Sequence, residues 1–347
     1  MSSLRTLLAG LIDYAGLFPP ASLGMPQAVD AYATYLVSEH AWALGRFIVP
    51  VARLDEFAAV QQQTRNAHRT GQEWKLSVLA TAADAPAIAR FNTRHAGAMT
   101  IDTAEIKAAG AAEIRDAARA LRTHHLHGDD LHVNDLHPDD LHLDDLHLDL
   151  YFEAPPADGS NLLPVIADSD ARAKIRTGGV TPATIPPTEE VAAFLEACRA
   201  HRVAFKATAG LHHPVRSVRP LTYEPGCAQA AMHGFLNVFL AAALVYSGGS
   251  AADTRALLNE TDATAFRFDD GAAYWRTRVA FPTSLLAETR ARFAASFGSC
   301  SFTEPMDEVE ALYKLEAQEQ LGIPKQSGAQ EQLGTQEQLG IQEQRAR

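Results

Sequence analysis

Short apolar runs alternate with longer segments of helical periodicity along most of the chain. The apolar runs are typical of buried strands, and the segments between them place apolar residues three and four positions apart. The pattern predicts eight strands, at 10–18, 46–51, 74–81, 98–106, 148–155, 172–177, 203–210 and 264–270. It predicts helices at 26–39, 53–67, 84–94, 110–122, 189–201 and 228–246.

Eight strands separated by helices predict an α/β protein with a single (β/α)8 TIM barrel. A doubly wound open sheet is the main alternative, but no glycine-rich dinucleotide fingerprint follows the first strand. Active residues of such barrels lie where strands end and βα loops begin. We therefore expect the polar residues late in the predicted strands to meet at one mouth: Asp13, Asp102, Glu105, Glu153, Lys174, Arg176 and Lys206.

Two low-complexity tracts interrupt or follow this pattern. Residues 124–149 repeat a D-D-L-H-x unit and hold half of the fourteen histidines, which favours a solvated surface insertion over a weak Asp/His metal site. Such an αβ insertion should lie on the rim away from catalysis. The repeated QEQLG units predict a mobile tail over 318–347, so the barrel domain is expected to span 1–317.

Composition limits the classes of partner. The 347 residues carry a net charge of −12, which argues against nucleic-acid binding. No apolar run reaches the roughly 18 residues needed to span a bilayer, and no signal peptide opens the chain, so a cytoplasmic protein is expected. The three cysteines lack zinc-ligand spacing and are expected to be reduced. The expected partner is a small-molecule substrate. No membrane partner is expected, and a homo-oligomer is possible.

Two lysines stand in strand-like runs, Lys174 in AKIRTGG and Lys206 in FKATAG. Consecutive strands would place them side by side, and a fully buried lysine is rare unless it is paired. A second ammonium group and desolvation can lower the pKa of a lysine enough to make it a nucleophile, which attacks a carbonyl to form an imine. The alternative is that each lysine forms a structural ion pair with Asp or Glu.

Five fragments in chain order resemble the class I, Schiff-base-forming deoxyribose-phosphate aldolases, a (β/α)8 barrel family. KIRTGG resembles that family's K-T-S-T-G run on strand six, and KATAG resembles its K-A-S-G-G run on strand seven. LIDYAGLFPP is similar to I-D-H-T-L-L-K-P, GAMTID to G-A-D-E-I-D, and YFEA to the strand-five stretch that ends in E-T. The resemblance covers about residues 10 to 210.

The resemblance implies an aldolase-like carbon–carbon lyase that acts on a small aldehyde or keto acid and needs no cofactor or metal. Lys174 would form the imine, and Lys206 would lower its pKa. Asp102 would relay protons, while Asp13 and Glu153 would support the carbonyl.

The loops after strands six to eight depart from the family. Asp269 and Asp270 would repel the phosphate that the family binds, so deoxyribose 5-phosphate itself is doubtful. Arg176 is large where the family has a small residue and could hold a carboxylate. His212, His213 and Arg216 follow strand seven and are expected to contact an anionic group or to act as acid and base, although the histidines could be half-exposed and inert. The candidate substrate-binding residues are Asp13, Glu153, Arg176, Thr177, Gly178, Gly210, His212, His213 and Arg216.

Two other functions stay open. A metal-dependent barrel hydrolase or lyase could use Asp13, Asp102, Glu153 and His212 or His213, but no H-x-H follows the first strand and no HExxH occurs. A non-catalytic barrel could bind a small carboxylate or a partner protein. His233 opens a strongly apolar helix and is predicted to be a satisfied helix-end residue.

Overall fold

A computed structural model describes residues 2–68, 72–126, 148–154 and 159–320. Eight parallel strands close into a barrel, with helices around it, which confirms the predicted α/β barrel. In chain order these strands are β1 (Ile12–Tyr14), β2 (Leu44–Pro50), β3 (Trp74–Ala80), β4 (Met99–Lys107), β5 (Asp149–Glu153), β6 (Arg172–Arg176), β7 (Phe205–Thr208) and β13 (Ala294–Ser299).

The helices cover the outside of the barrel and bury their apolar faces against it. α8 is apolar on every face apart from Asn237, and every residue from Phe235 to Val245 is buried beneath neighbouring helices. The α-helices are α1 (Ser3–Leu8), α2 (Met25–Leu36), α3 (Leu54–His68), α4 (Ala85–His95), α5 (Ala111–Leu126), α6 (Gly159–Asp168), α7 (Thr188–His201), α8 (Phe235–Tyr246), α9 (Ala251–Leu258), α10 (Thr283–Arg292) and α11 (Thr303–Gln320).

The prediction for the eighth barrel strand was wrong. Phe266–Phe268 forms β10 of a separate antiparallel sheet with β11 (Ala272–Trp275) and β12 (Val279–Pro282), whereas β13 closes the barrel between β1 and β7. The local cause is a turn, because Asp269 Oδ1 accepts the N–H groups of Gly271 and Ala272 at 2.9 Å each. Such an Asp turn reverses the chain into a hairpin.

The predicted helix at 228–246 begins later than expected. Gln229–Met232 forms β9, which pairs with β8 (Ser217–Pro220) in a two-stranded hairpin beside the barrel mouth. Gly234 is the N-cap of α8, and a Cβ at this position would lie 2.5 Å from the Cα of Val215. The close approach of the two backbones fixes the point at which the helix starts.

The low-complexity tracts fall mostly outside the described residues. α5 continues to Leu126, and β5 begins at Asp149, so residues 127–147 of the predicted insertion are not described. α11 continues to Gln320, past the predicted start of the tail, and residues 321–347 lie outside the described residues. In the described part of the chain, none of the helices is long and apolar enough to cross a membrane.

Candidate active site

The two lysines lie directly opposite each other on adjacent strands. Lys174 of β6 and Lys206 of β7 are partners in the parallel register, and both side chains are buried. Lys206 Nζ donates to Asp13 Oδ2 at 2.8 Å and to Glu105 Oε1 at 2.6 Å. Lys174 Nζ donates to Glu105 Oε2 at 3.1 Å. Glu105 therefore bridges the two ammonium groups.

Glu153 completes what we call the lysine–carboxylate cluster, which consists of Asp13, Glu105, Glu153, Lys174 and Lys206. Its Oε2 lies 2.9 Å from Lys174 Nζ, but this ion pair lacks the alignment of a hydrogen bond. Strand register accounts for the contact, because Glu153 of β5 is the partner of Lys174. Three carboxylates surround two ammonium groups at the end of the barrel where the strands finish.

Hydroxyl groups fix two of the carboxylates. Ser77 Oγ donates to Glu105 Oε1 at 2.7 Å, and Ser296 Oγ donates to Asp13 Oδ2 at the same distance. The backbone N–H of Arg46 donates to Asp13 Oδ1 at 2.8 Å. Buried charges need such partners, because an incompletely bonded charge in the barrel interior would destabilise the fold.

The charges of the cluster stabilise one another. Burial raises the pKa of Glu105, but Lys206 and Lys174 together lower it to about 2. Burial lowers the pKa of Lys206, and the carboxylates of Asp13 and Glu105 more than offset this, so its pKa is raised. The pKa of Glu153 is lowered in the same way, since Lys174 outweighs the effect of burial. Glu105, Glu153 and Lys206 are therefore charged at neutral pH.

A cleft of about 2790 Å³ opens over this end of the barrel. Lys174, Glu105 and Glu153 line it, whereas Lys206 and Asp13 are not among the described residues that do. Lys206 and Asp13 instead lie deeper in the interior, where Lys206 is 1% exposed and Asp13 is 0% exposed. Lys174, although only 3% exposed, therefore borders the cleft, whereas Lys206 is separated from it among the described residues.

Asp102, the predicted proton relay, lies apart from the lysines. It forms an ion pair with Arg46, with 2.5 Å from Nε to Oδ1 and 2.9 Å from Nη2 to Oδ2. Its place in β4 is three residues before Glu105, and the register with β3 shifts beside it. Glu105, which stands nearer the end of the strand, is the acid of β4 that contacts both lysines, whereas the resemblance had implied Asp102 as the proton relay.

The loops after β6 and β7 form one wall of the cleft. Thr177 Oγ1 donates to the carbonyl of Ala209 at 2.6 Å, which ties the two loops together. Gly178 and Gly210 approach so closely that a Cβ on either residue would lie 2.8 Å from the Cα of the other, and Gly210 has a φ of +78°. Arg176 Nε lies 3.6 Å from Glu153 Oε1 at the rim of the cluster.

His212 and His213 are buried and paired with acids of α11. His212 Nδ1 lies 3.2 Å from Glu304 Oε2, and His213 Nδ1 lies 2.8 Å from Glu308 Oε1. Burial lowers the pKa of His212. The neighbouring Cys300 and Glu304 raise it by a larger amount, so the pKa of His212 lies above its ordinary value. Both histidines line the cleft, and their acid partners attach the loop after β7 to α11.

The acids and histidines of the metal-dependent alternative do not converge on one point. Asp13 and Glu153 pair with lysines, Asp102 pairs with Arg46, and each histidine pairs with its own glutamate. Among the described side chains, the group spaced closely enough to share a metal ion is Glu39, His40 and Glu310, and none of these three lines the cleft.

Glu105 makes a pH-dependent contribution to stability. Its folded pKa is about 2, below the ordinary value of 4.5, so the stabilisation is present above pH 4.5 and is lost as the pH falls through 2. We expect wild type to exceed Glu105→Gln by about 3 kcal/mol in the free energy of unfolding at pH 7. Denaturant unfolding at pH 7, 5 and 3 measures the difference, which should shrink on acidification. An equal difference at pH 7 and pH 3 would contradict this assignment.

Comparisons with known proteins leave the chain without an assigned family. No family model matches it, and no curated protein is significantly similar to it. The resemblance to class I aldolases stays a prediction from short motifs, and the geometry around Lys174 is the basis for inferring a function.

Proposed function

We propose that the protein is an aldolase-type carbon–carbon lyase, in which Lys174 forms an imine with a small aldehyde or keto acid. The observation that carries the proposal is the position of Lys174. Lys174 lines the cleft and has two carboxylates beside its amine, while the second lysine is held in the interior. A lysine nucleophile needs both a route to the substrate and groups that exchange protons with it.

Glu153 is suited to exchange the first proton. In this scheme the Lys174 ammonium reorients toward Glu153 Oε2, 2.9 Å away, and transfers a proton to it, so that Lys174 becomes a neutral amine. The amine nitrogen then attacks the carbonyl carbon, and the C=O π electrons move to oxygen, which receives a proton from nitrogen. Glu153 returns its proton to the resulting hydroxyl, which leaves as water. The product is a protonated imine on Lys174.

The protonated imine then accepts electrons from the bond that breaks. The carbon–carbon bond between the positions α and β to the imine carbon cleaves, and its electron pair moves toward nitrogen to give an enamine. The β-hydroxyl loses its proton to Glu153 and becomes an aldehyde. Glu105, ionised and fixed by Ser77, keeps a negative charge next to the imine nitrogen. Protonation of the enamine carbon and hydrolysis of the imine restore Lys174.

Lys206 acts in this scheme as a positioning residue. It binds Glu105 Oε1 and Asp13 Oδ2, so that the other oxygen of Glu105 is directed toward Lys174. Its raised pKa keeps it protonated, and it is not among the described residues that line the cleft.

Borohydride trapping tests the proposal, because reduction converts an imine into a stable amine. Wild-type protein is incubated with a panel of aldehydes and keto acids, reduced, digested and mapped by mass spectrometry. We expect a stoichiometric adduct on Lys174 with at least one carbonyl compound. Lys107, an exposed lysine that lines the same cleft, is the internal control and should stay unmodified. Absence of any Lys174 adduct on folded protein, or equal labelling of Lys107, would refute the proposal and favour a binding protein.

A further inference from the structure

Arg216 is a cation in the wall of the cleft that the protein leaves without a carboxylate partner among its described residues. Its side chain contacts His233, with 3.3 Å from Nη1 to Nδ1. The two other arginines that line the cleft have acid partners: Arg176 lies 3.6 Å from Glu153, and Arg219 lies 3.4 Å from Glu308. Arg216 therefore differs from both in how its charge is compensated.

The groups that contact Arg216 are uncharged. His233 Nε2 lies 2.8 Å from the carbonyl oxygen of Pro186, which can only accept, so Nε2 carries the proton and Nδ1 accepts from Arg216. His233, predicted to be a satisfied helix-end residue, is fully buried, and burial lowers its pKa and keeps it neutral. The backbone N–H of Arg216 donates to the buried Asn237 Oδ1 at 2.9 Å. The guanidinium thus contacts a neutral imidazole, and an uncharged amide holds the backbone of Arg216.

The electrostatics of this arrangement favour an anion. Burial lowers the pKa of Arg216, and the more distant Glu189 offsets this only in part. A partly buried guanidinium without a counter-charge is costly to the fold, and an anion in the cleft would supply that charge. A carboxylate matches its planar fork with two parallel hydrogen bonds and carries the single charge that one guanidinium balances. A phosphate dianion would bring a second negative charge into the field of Glu189.

We propose that the substrate is an oxo acid whose carbonyl group reacts with Lys174 while its carboxylate is bound by Arg216. This inference rests on the proposed function and narrows its substrate class. Both residues line the same cleft, with Lys174 in the middle of β6 and Arg216 in the loop after β7. The distance between carbonyl and carboxylate in the best substrate would report the separation of the two residues.

Matched pairs of ligands test the inference. Oxo acids of increasing chain length, such as pyruvate and 4-oxopentanoate, are trapped on Lys174 beside their methyl esters, and the concentration that gives half-maximal adduct is measured. We expect at least one acid to saturate at a concentration roughly 10- to 100-fold lower than its ester. Arg216→Met should remove this difference, and Arg216→Lys should retain part of it.

Arg219→Met is the control variant, because Arg219 lies three residues after Arg216, in β8, and already has an acid partner, so its removal should leave the acid preference intact. The inference would be overturned if acid and ester saturated wild type at equal concentrations, or if the preference for the acid survived Arg216→Met. In either case an adduct on Lys174 would still support the proposed function. A phosphorylated aldehyde could instead saturate at a lower concentration than every oxo acid and lose this advantage in Arg216→Met. That result would overturn the inference, because Arg216 would then bind a phosphate and not a carboxylate. Failure of every carbonyl to label Lys174 would refute both proposals.

Discussion

Lys174→Met is expected to reduce turnover of the best carbonyl substrate by roughly 10⁴-fold or more, because a thioether cannot form an imine. The side chain that replaces the amine has nearly the same length, so the shape of the cleft floor is kept. Carbon–carbon bond cleavage is measured in single-turnover experiments with the substrate found by borohydride trapping. Turnover close to that of wild type would show that Lys174 is not the nucleophile.

The control for this experiment is Lys174→Arg. Lys174 also compensates the carboxylates of Glu105 and Glu153, so its loss lowers stability as well as activity. A guanidinium keeps the positive charge but stays protonated and does not form an imine. We expect Lys174→Arg to melt closer to wild type than Lys174→Met does and to be equally inactive. If Lys174→Arg were active, Lys174 would have an electrostatic role and would not be the nucleophile.

The periodicity of the sequence predicts most of the barrel because local patterns decide it. Seven of the eight predicted strands overlap barrel strands, including the two that carry the lysines. The side-by-side arrangement of Lys174 and Lys206 follows from that assignment, since neighbouring parallel strands that carry lysines at equivalent positions bring them into register. The eighth strand could not be identified in this way, because FRF before the Asp269 turn and AASFGS at β13 are both short apolar runs.

Partners that are distant along the chain were beyond the reach of the sequence pattern. Asp13 meets Lys206 across 193 residues, and Glu105 meets both lysines, because barrel closure brings these strand ends together. Asp102 and Glu105 are both acids of β4, and the register of this strand with β3 shifts beside Asp102. The position of Glu105 nearer the strand end is the signal that favoured it. Arg216 lacks an acid partner among the described residues, and this has no sequence signal, since it depends on where α7 and α8 pack.

Lys206→Met is expected to lower the free energy of unfolding at pH 7 by about 3–5 kcal/mol. Lys206 is 1% exposed and donates to two carboxylates, so its removal leaves Asp13 and Glu105 with less compensation for their buried charges. The cost arises from those uncompensated anions more than from the lost hydrogen bonds. Chemical denaturation of wild type and variant at pH 7 measures it.

Lys75→Met is the matched control for Lys206→Met. Lys75 lies 3.9 Å from Asp102, but 64% of its side chain is exposed, so solvent screens the pair and we expect a loss below about 1 kcal/mol. Protonation of Glu105 removes one of the charges that Lys206 compensates, so the deficit of Lys206→Met should also decrease as the pH is lowered. Losses of equal size for the two variants would show that Asp13 and Glu105 are compensated without Lys206. Lys206 would then have no positioning role, and the orientation of Glu105 toward Lys174 would rest on Ser77.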